Sequence, residues 1–204
     1  MTDCDSMLTI DLVQRAREGS GDAREELFAR YGDRVLAIVR ARLGRRLRAN
    51  VESRDILQDA LAEAVGGLER FEMRDDSSLI RWLATLVEHQ ITAKADYWGA
   101  AKRDPGREVA REGVDEEGGD LPLPADDPSP SMVVGASEEA ETVIDCIRGL
   151  PERQRELILL RDYSGASWQE VADAVGAPSP GAARMLHARA VARLGKLLRE
   201  RGLS

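Results

Sequence analysis

Aromatic side chains make up only 4% of the 204 residues, so a hydrophobic core has to be built from Leu, Val, Ile and Ala. That composition suits small helical units better than a sandwich or a barrel. Cysteine is nearly absent: Cys4 and Cys146 are far apart and form no CxxC or metal-ligand spacing. So few thiols point to a reducing compartment and exclude a disulfide-stapled fold. Histidine occurs only as His89 and His187. With no metal-ligand cluster, no phosphate-cradling glycine loop and no nucleophile–base pair, the sequence predicts neither an enzyme nor a cofactor or metal site, and no small-molecule substrate. No run approaches the ~20 apolar residues of a membrane span. The opening "MTDCDSMLTIDL" lacks the basic and apolar regions of a signal peptide. The expectation is a cytoplasmic protein without a membrane partner.

What the chain does have is charge, unevenly placed. The net charge is −8, yet residues 1–103 contribute −1, residues 104–137 contribute −7 and residues 138–204 are balanced. The acidic middle, "DPGREVAREGVDEEGGDLPLPADDPSPSMVVGAS", is rich in Pro, Gly, Asp and Ser and has no helical periodicity. It reads as a flexible linker between two units, 1–103 and 138–204. The flanking units carry local basic stretches. Arg34 to Arg54 holds seven Arg against one Glu, and the last 20 or so residues hold Arg184, Arg189, Arg193, Lys196, Arg199 and Arg201. Local basic faces, not the overall charge, decide where a phosphate backbone docks.

In the first unit, apolar residues at helical spacing predict four amphipathic helices. Leu27, Tyr31, Val35, Ile38 and Val39 form one stripe, with Asp22 as its cap. Ile56, Leu57, Ala60, Leu61, Ala64 and Leu68 form another, with Ser53 as cap and an outer face of Asp55, Gln58, Asp59 and Glu63. A fourth helix, capped by Ser77 or Ser78, packs Trp82, Leu86 and Ile91. In the second unit, "SWQEVADAVG" opens with a capping box, Ser167 and Glu170, and closes on Gly176. "APSPG" turns the chain, Ser179 caps, and Pro180 takes the first helical position. The last helix is expected to bury Ala182, Leu186, Ala190 and Leu194. Capping box, glycine, short turn and capped basic helix in this order predict a helix-turn-helix. The fold expected is all-α: two small helical domains, a four-helix unit and a helix-turn-helix unit, joined by the acidic linker.

Together the two units resemble the bacterial RNA polymerase sigma factors of the extracytoplasmic-function (ECF) group. "RDILQDALAEAV", "RF", "RWL" and "AAKRD" carry the resemblance in the first unit; "LPERQRELILLRDYSGASWQEVADAVG" and "SPGAARMLHARAVARL" carry it in the second. The resemblance implies promoter recognition and opening in company with core RNA polymerase, and partners that are core polymerase, promoter DNA and an anti-sigma factor. It implies core-polymerase binding through Arg54, Asp55, Leu57, Gln58 and Asp59. It implies minus-10 DNA binding through Phe71, Arg74, Trp82, His89, Lys94, Lys102 and Arg103, with the loop Phe71 to Ser78 capturing an unstacked base. It implies minus-35 DNA binding through Ser179, Gly181, Ala183, Arg184, His187, Ala188, Arg189 and Arg193 on the last helix. Within that helix, Arg184 and His187 are the expected base readers. His89, Ala183 and Met185 stand where the family usually has Asn, Lys or Arg, and Arg. Two other readings compete: a stand-alone helix-turn-helix regulator, which leaves the acidic face idle, and a sigma-like adaptor that binds polymerase without initiating.

Overall fold

A computed structural model describes residues 3–75, 77–101 and 138–203. Among these residues every regular element is a helix. The first unit comprises α1 (Asp3–Arg17), α2 (Gly21–Arg42), a single-turn α3 (Arg45–Arg48), α4 (Ser53–Gly67) and α5 (Ser78–Ala101). The second comprises α6 (Glu138–Arg148), α7 (Glu152–Ile158), α8 (Trp168–Val175) and α9 (Pro180–Glu200). The four long helices of the first unit follow the apolar periodicity; the short α3, four residues with only Leu47 turned inward, was not expected. The acidic segment 104–137, and Lys102 and Arg103 before it, lie outside the described residues.

Helix ends are set by local chemistry, not always by the residue expected. Ser20, not Asp22, caps α2, its side chain accepting from the Ala23 amide. Ser53 is the first residue of α4 rather than its cap; Glu52 takes the cap position without a side-chain bond. In the second unit the sequence reading holds closely. Ser167 and Glu170 form a reciprocal capping box on α8, and Gly176 closes that helix in the left-handed region at φ 65°. Ser179 caps α9, accepting from the Ala182 amide, and Pro180 follows at the first turn. Pro151 stands at the cap of α7.

α7 does not end cleanly. Leu159–Tyr163 widen into a π turn before Gly165, at φ 66°, reverses the chain. A π turn leaves one residue more than the α-helix needs, and such turns gather at functional positions. Here the bulge carries Asp162 toward α9.

The helix-turn-helix has its own small core: Leu157, Ala166, Val171, Ala172 and Ala183, with Leu160, Trp168 and Leu186 packed on it. The larger core is continuous across both units. Leu27, Val35, Ile38, Ile56, Ile80 and Val87 of the first unit share it with Ile144, Ile147, Ile158, Leu159 and Leu194 of the second. Around this apolar seam, arginines of each unit reach into the other. Arg42 of α2 donates from Nε and Nη2 to the two carboxylate oxygens of Glu156 at 3.2 and 2.8 Å. Arg148 of α6 donates twice to the Arg40 carbonyl, at 3.1 and 2.9 Å. Arg34 donates to the Asp162 carbonyl at 3.4 Å. Burial in this seam holds the Arg34 guanidinium below its ordinary value, against the smaller opposing effect of Tyr31 and Tyr163.

Candidate functional site

Three surfaces gather most of the predicted residues. The first is the outer face of α4. Arg54, Asp55 and Gln58 are exposed near its start, on the side opposite buried Ile56 and Ala60. Asp55 and Gln58 are one turn apart and so share a face. Leu57 is half-buried and packs against the core, as its place in the inward stripe predicts, beside the exposed Arg54, Asp55 and Gln58. Asp59 is paired: its carboxylate meets Lys94 of α5 at 2.8 Å, and this bond raises the Lys94 ammonium above its ordinary value. The structure therefore joins one residue expected to bind polymerase to one expected to bind DNA. On that edge the adjoining Gln90 also donates to Glu63 at 2.7 Å.

The second surface is the junction of α4 and α5. α4 runs out at Gly67, a 3₁₀ turn covers Leu68–Arg70, and the chain then crosses to α5. Phe71 and Trp82 meet here as stacked rings, centroids 4.7 Å apart and planes at 19°. Phe71 is only 7% exposed, so it serves as the floor of the junction more than as a free contact. The ring of Trp82 lies so close to Gly67 that a Cβ there would sit 3.0 Å from Cζ2. Gly67 therefore has a packing reason that helix propensity alone does not reveal. Around the stacked pair opens a cavity of about 570 Å³, lined by Glu63, Gly67, Arg70, Phe71, Arg74 and Trp82 among others. Three predicted minus-10 residues, Phe71, Arg74 and Trp82, are thus brought together. His89 lies farther along α5, exposed. Lys102 and Arg103 fall outside the described residues.

The loop beyond Phe71 is tied down by its own polar groups. The Ser78 hydroxyl accepts from the amides of Arg74 and Asp75 at 3.1 and 2.9 Å. Asp75 accepts from the Ser77 amide at 2.9 Å and from Arg81 at 2.6 Å. The Arg81 bond, foremost, holds the Asp75 carboxyl below the usual carboxylate range. A depressed carboxylate contributes stability that is complete above its unfolded pKa and is lost as pH falls through the lower folded one. An NMR titration should therefore show Asp75 titrating below a free aspartate, with the loop amides of Ser77 and Ser78 shifting in the same acidic step. An Asp75 midpoint at the ordinary value would remove the Arg81 contact from the account.

The third surface is the outer side of α9, and here two expectations are corrected. Ala183, expected at the minus-35 element, is 0% exposed and belongs to the helix-turn-helix core; Ala182 is the partly open neighbour. The stripe is thus Ala183, Leu186, Ala190 and Leu194, because α9 packs on α8 near its start and only then on the larger core. His187, expected to read a base, turns the other way. Its Nε2 sits 2.8 Å from Asp162 Oδ2 on the π turn, with the two side chains 15% and 13% exposed. Its ring also meets Trp168 edge-on at 5.3 Å. What remains outward is Gly181, Arg184, Met185, Arg189 and Arg193, with Ala188 half-covered. Ser179 stays exposed while capping the helix. Arg184 lies over the Trp168 ring at 5.6 Å, and Arg161 over the same ring at 4.7 Å.

Sequence reasoning missed Asp162, Trp168 and Arg81. Trp168 was visible as an aromatic in the first turn of a short helix. Asp162 was not, because nothing in the sequence announces a π turn.

Comparison with known proteins agrees with this architecture. Residues 27–97 match the family description "Sigma-70 region 2", and residues 140–194 match "Sigma-70, region 4". The ECF RNA polymerase sigma factor ShbA of Streptomyces griseus is 30% identical over 200 residues, covering 97% of this chain and 98% of ShbA. The RNA polymerase sigma-H factor of Pseudomonas aeruginosa is 29% identical over 167 residues, 82% of each chain. Among solved structures, the sigma factor RpoE of Bartonella quintana, in complex with the anti-sigma factor NepR, overlays with a TM-score of 0.52 at 22% identity. That overlay covers 88% of this chain and 98% of RpoE, and it speaks for the shared fold. Two helical units in this order, each matching its sigma region, and a relative at this identity along nearly the whole length place the chain in the ECF family of RNA polymerase sigma factors.

Proposed function

We propose that this sigma factor divides its work among the three surfaces described. As a sigma factor it directs RNA polymerase to promoters. The exposed Arg54, Asp55 and Gln58 on α4 dock core polymerase, an acid-and-amide face suited to a basic partner helix. The cavity at Phe71, Arg74 and Trp82 receives an unstacked base of the minus-10 element; every base offers a π-face, and an aromatic floor stabilises it. α9 enters the major groove at the minus-35 element. Core polymerase, promoter DNA and an anti-sigma factor make up the partner set, in the cytoplasm. Its action is non-covalent, and no chemical step is assigned to its residues. Among the described residues no helix is long and apolar enough to cross a membrane.

The observation that carries this reading is the orientation of α9. Arg184, Arg189 and Arg193 point outward from a helix capped by Ser179 and seated on its own core. Arg184, in the first turns, is placed to bond O6 and N7 of one guanine. Arg189 and Arg193, later on the helix, face phosphates. Run-off transcription from a promoter library, with purified core polymerase, tests it. Arg184→Ala should relax preference at one or two minus-35 positions, and Arg193→Ala should weaken all sequences alike and flatten the salt dependence. His187→Ala should leave the sequence logo alone and lower the melting temperature, since its ring holds α9 to the π turn. An unchanged logo for Arg184→Ala, or a changed one for His187→Ala, would reverse these roles.

A further inference from the structure

The end of α4 is held by a residue from the far end of the first unit. Arg17, the last residue of α1, sends its guanidinium across to the 3₁₀ turn. Nε donates to the Leu68 carbonyl at 3.2 Å, and Nη2 donates to the carbonyls of Glu69 and Phe71 at 3.0 and 2.6 Å. A helix that ends here leaves carbonyls without intrahelical donors, and the helix dipole favours a cation beside them. A planar guanidinium holds its N–H donors in fixed directions toward the three carbonyls, whereas the three donors of an ammonium rotate about one point charge. No carboxylate lies within ion-pair distance of Arg17 among the described residues, so the guanidinium is committed to the turn.

What the turn carries explains why this matters. Its last bonded carbonyl belongs to Phe71, whose ring stacks on Trp82, and from Phe71 the loop leaves toward Arg74. On the other side the ring of Trp82 is seated against Gly67, where even a Cβ would press on it at 3.0 Å and push it back by a few tenths of an ångström. Gly67 and Arg17 thus fix the two halves of the aromatic floor: Gly67 by giving Trp82 room, Arg17 by fixing the backbone that aims Phe71. The downstream end of the loop is fixed separately, by Ser78, Asp75 and Arg81.

We infer that Arg17 is a positioning residue for minus-10 recognition, preorganising the base-receiving cavity without touching DNA. The inference rests on the assignment of that cavity to the minus-10 element. Groups held by neighbours bind without first being ordered, so loosening them lowers affinity though every contacting side chain remains.

The test uses holoenzyme assembled from core polymerase and full-length sigma variants. The first reading is affinity for a single-stranded oligonucleotide carrying the minus-10 element. The second is the minus-10 logo from a promoter library. Core affinity and melting temperature are measured beside them. Arg17→Met should lower oligonucleotide affinity about tenfold, a loss of about 1.4 kcal/mol, and blur one minus-10 position, while core affinity and the minus-35 logo stay unchanged. Arg17→Lys, which keeps the charge and loses the fork, should fall between; it also serves if Arg17→Met folds poorly. Trp82→Ala separates the two ideas. If Trp82→Ala loses minus-10 preference and neither Arg17 variant does, the positioning role is overturned and the cavity assignment stands. If Trp82→Ala has no effect, the cavity assignment fails and the role of Arg17 fails with it. If oligonucleotide and core affinity fall equally in both Arg17 variants, Arg17 is a general brace for the unit and the inference is wrong.

Discussion

Asp55→Arg should lower the affinity of this sigma factor for core polymerase about a hundredfold, close to 3 kcal/mol. Asp55 is exposed on α4, bonded to no other side chain among the described residues, and opposite the apolar stripe. Reversing its charge therefore costs the free protein little, and circular dichroism should be unchanged. If α4 docks as proposed, a like charge then stands where a salt link would form, and losing one partner of a buried charge pair costs about 2–5 kcal/mol. Asp59 is the poorer site for the same experiment. Its carboxylate already holds Lys94 at 2.8 Å, so Asp59→Arg sets a cation against a cation inside the unit. Fluorescence competition against the unmodified protein measures the effect. Unchanged affinity for Asp55→Arg would move the docking face elsewhere on the first unit.

Arg42→Met should destabilise the seam by about 3 kcal/mol. The Arg42 side chain is 11% exposed and its fork meets both oxygens of Glu156, while Nη1 donates to the Ala84 carbonyl at 3.2 Å. Removing one partner of such a pair strands the other, at about 3–5 kcal/mol when fully buried. Glu156 is 30% exposed, which sets the estimate at the low end. For a chain of this size the melting temperature should fall by roughly 6–12 °C. Replacing Glu156 by Gln in the same background should recover part of the loss, since the stranded charge is then gone. A fall in melting temperature under 2 °C for Arg42→Met would show the pair to be a surface ornament, as most exposed ion pairs are.

The sequence disclosed most about the second unit, because its boundaries are set by neighbours. Ser167 with Glu170, Gly176, and Ser179 with Pro180 act within one helical turn, so their roles can be read without tertiary knowledge. The same locality fails where two similar residues stand side by side. Ser20 and Asp22 could each cap α2, and only the chain's approach chose Ser20. Ala182 and Ala183 are chemically equal, and the packing of α9 on α8 decided that Ala183 goes inside. His187 was misjudged for a related reason: its partner, Asp162, is brought beneath α9 by a π turn that has no sequence signature. Arg17 was invisible because its bonds span 51 to 54 residues of chain. The aromatic floor was half visible: Phe71 and Trp82 stood out as rare residues, but their stacking and the reason for Gly67 did not.

The seam between the units has a consequence for ionic strength. It is built from Ile144, Ile147, Ile158 and Leu159, from guanidinium bonds to neutral carbonyls, Arg148 to Arg40 and Arg34 to Asp162, and, among the described residues, from the ion pairs Arg42–Glu156 at 2.8 Å, Arg40–Glu141 at 3.7 Å and Arg81–Glu170 at 3.6 Å. The apolar and carbonyl contacts are little weakened by dissolved ions, whereas the more exposed pairs Arg40–Glu141 and Arg81–Glu170 are screened. Binding along a phosphate backbone is the opposite case and falls steeply with salt, because counterions released into a more concentrated solution gain less entropy. A minus-10 and a minus-35 element lie about 25 base pairs, or roughly 85 Å, apart along a duplex. A compact fold of this length has a radius of gyration of about 17 Å. On the proposed assignment of the two DNA-facing surfaces, the two units cannot reach both elements while the seam is shut. Ions therefore weigh more on one side of that competition: a rise in salt steeply weakens a duplex's hold on separated units, while the seam loses only its exposed ion pairs.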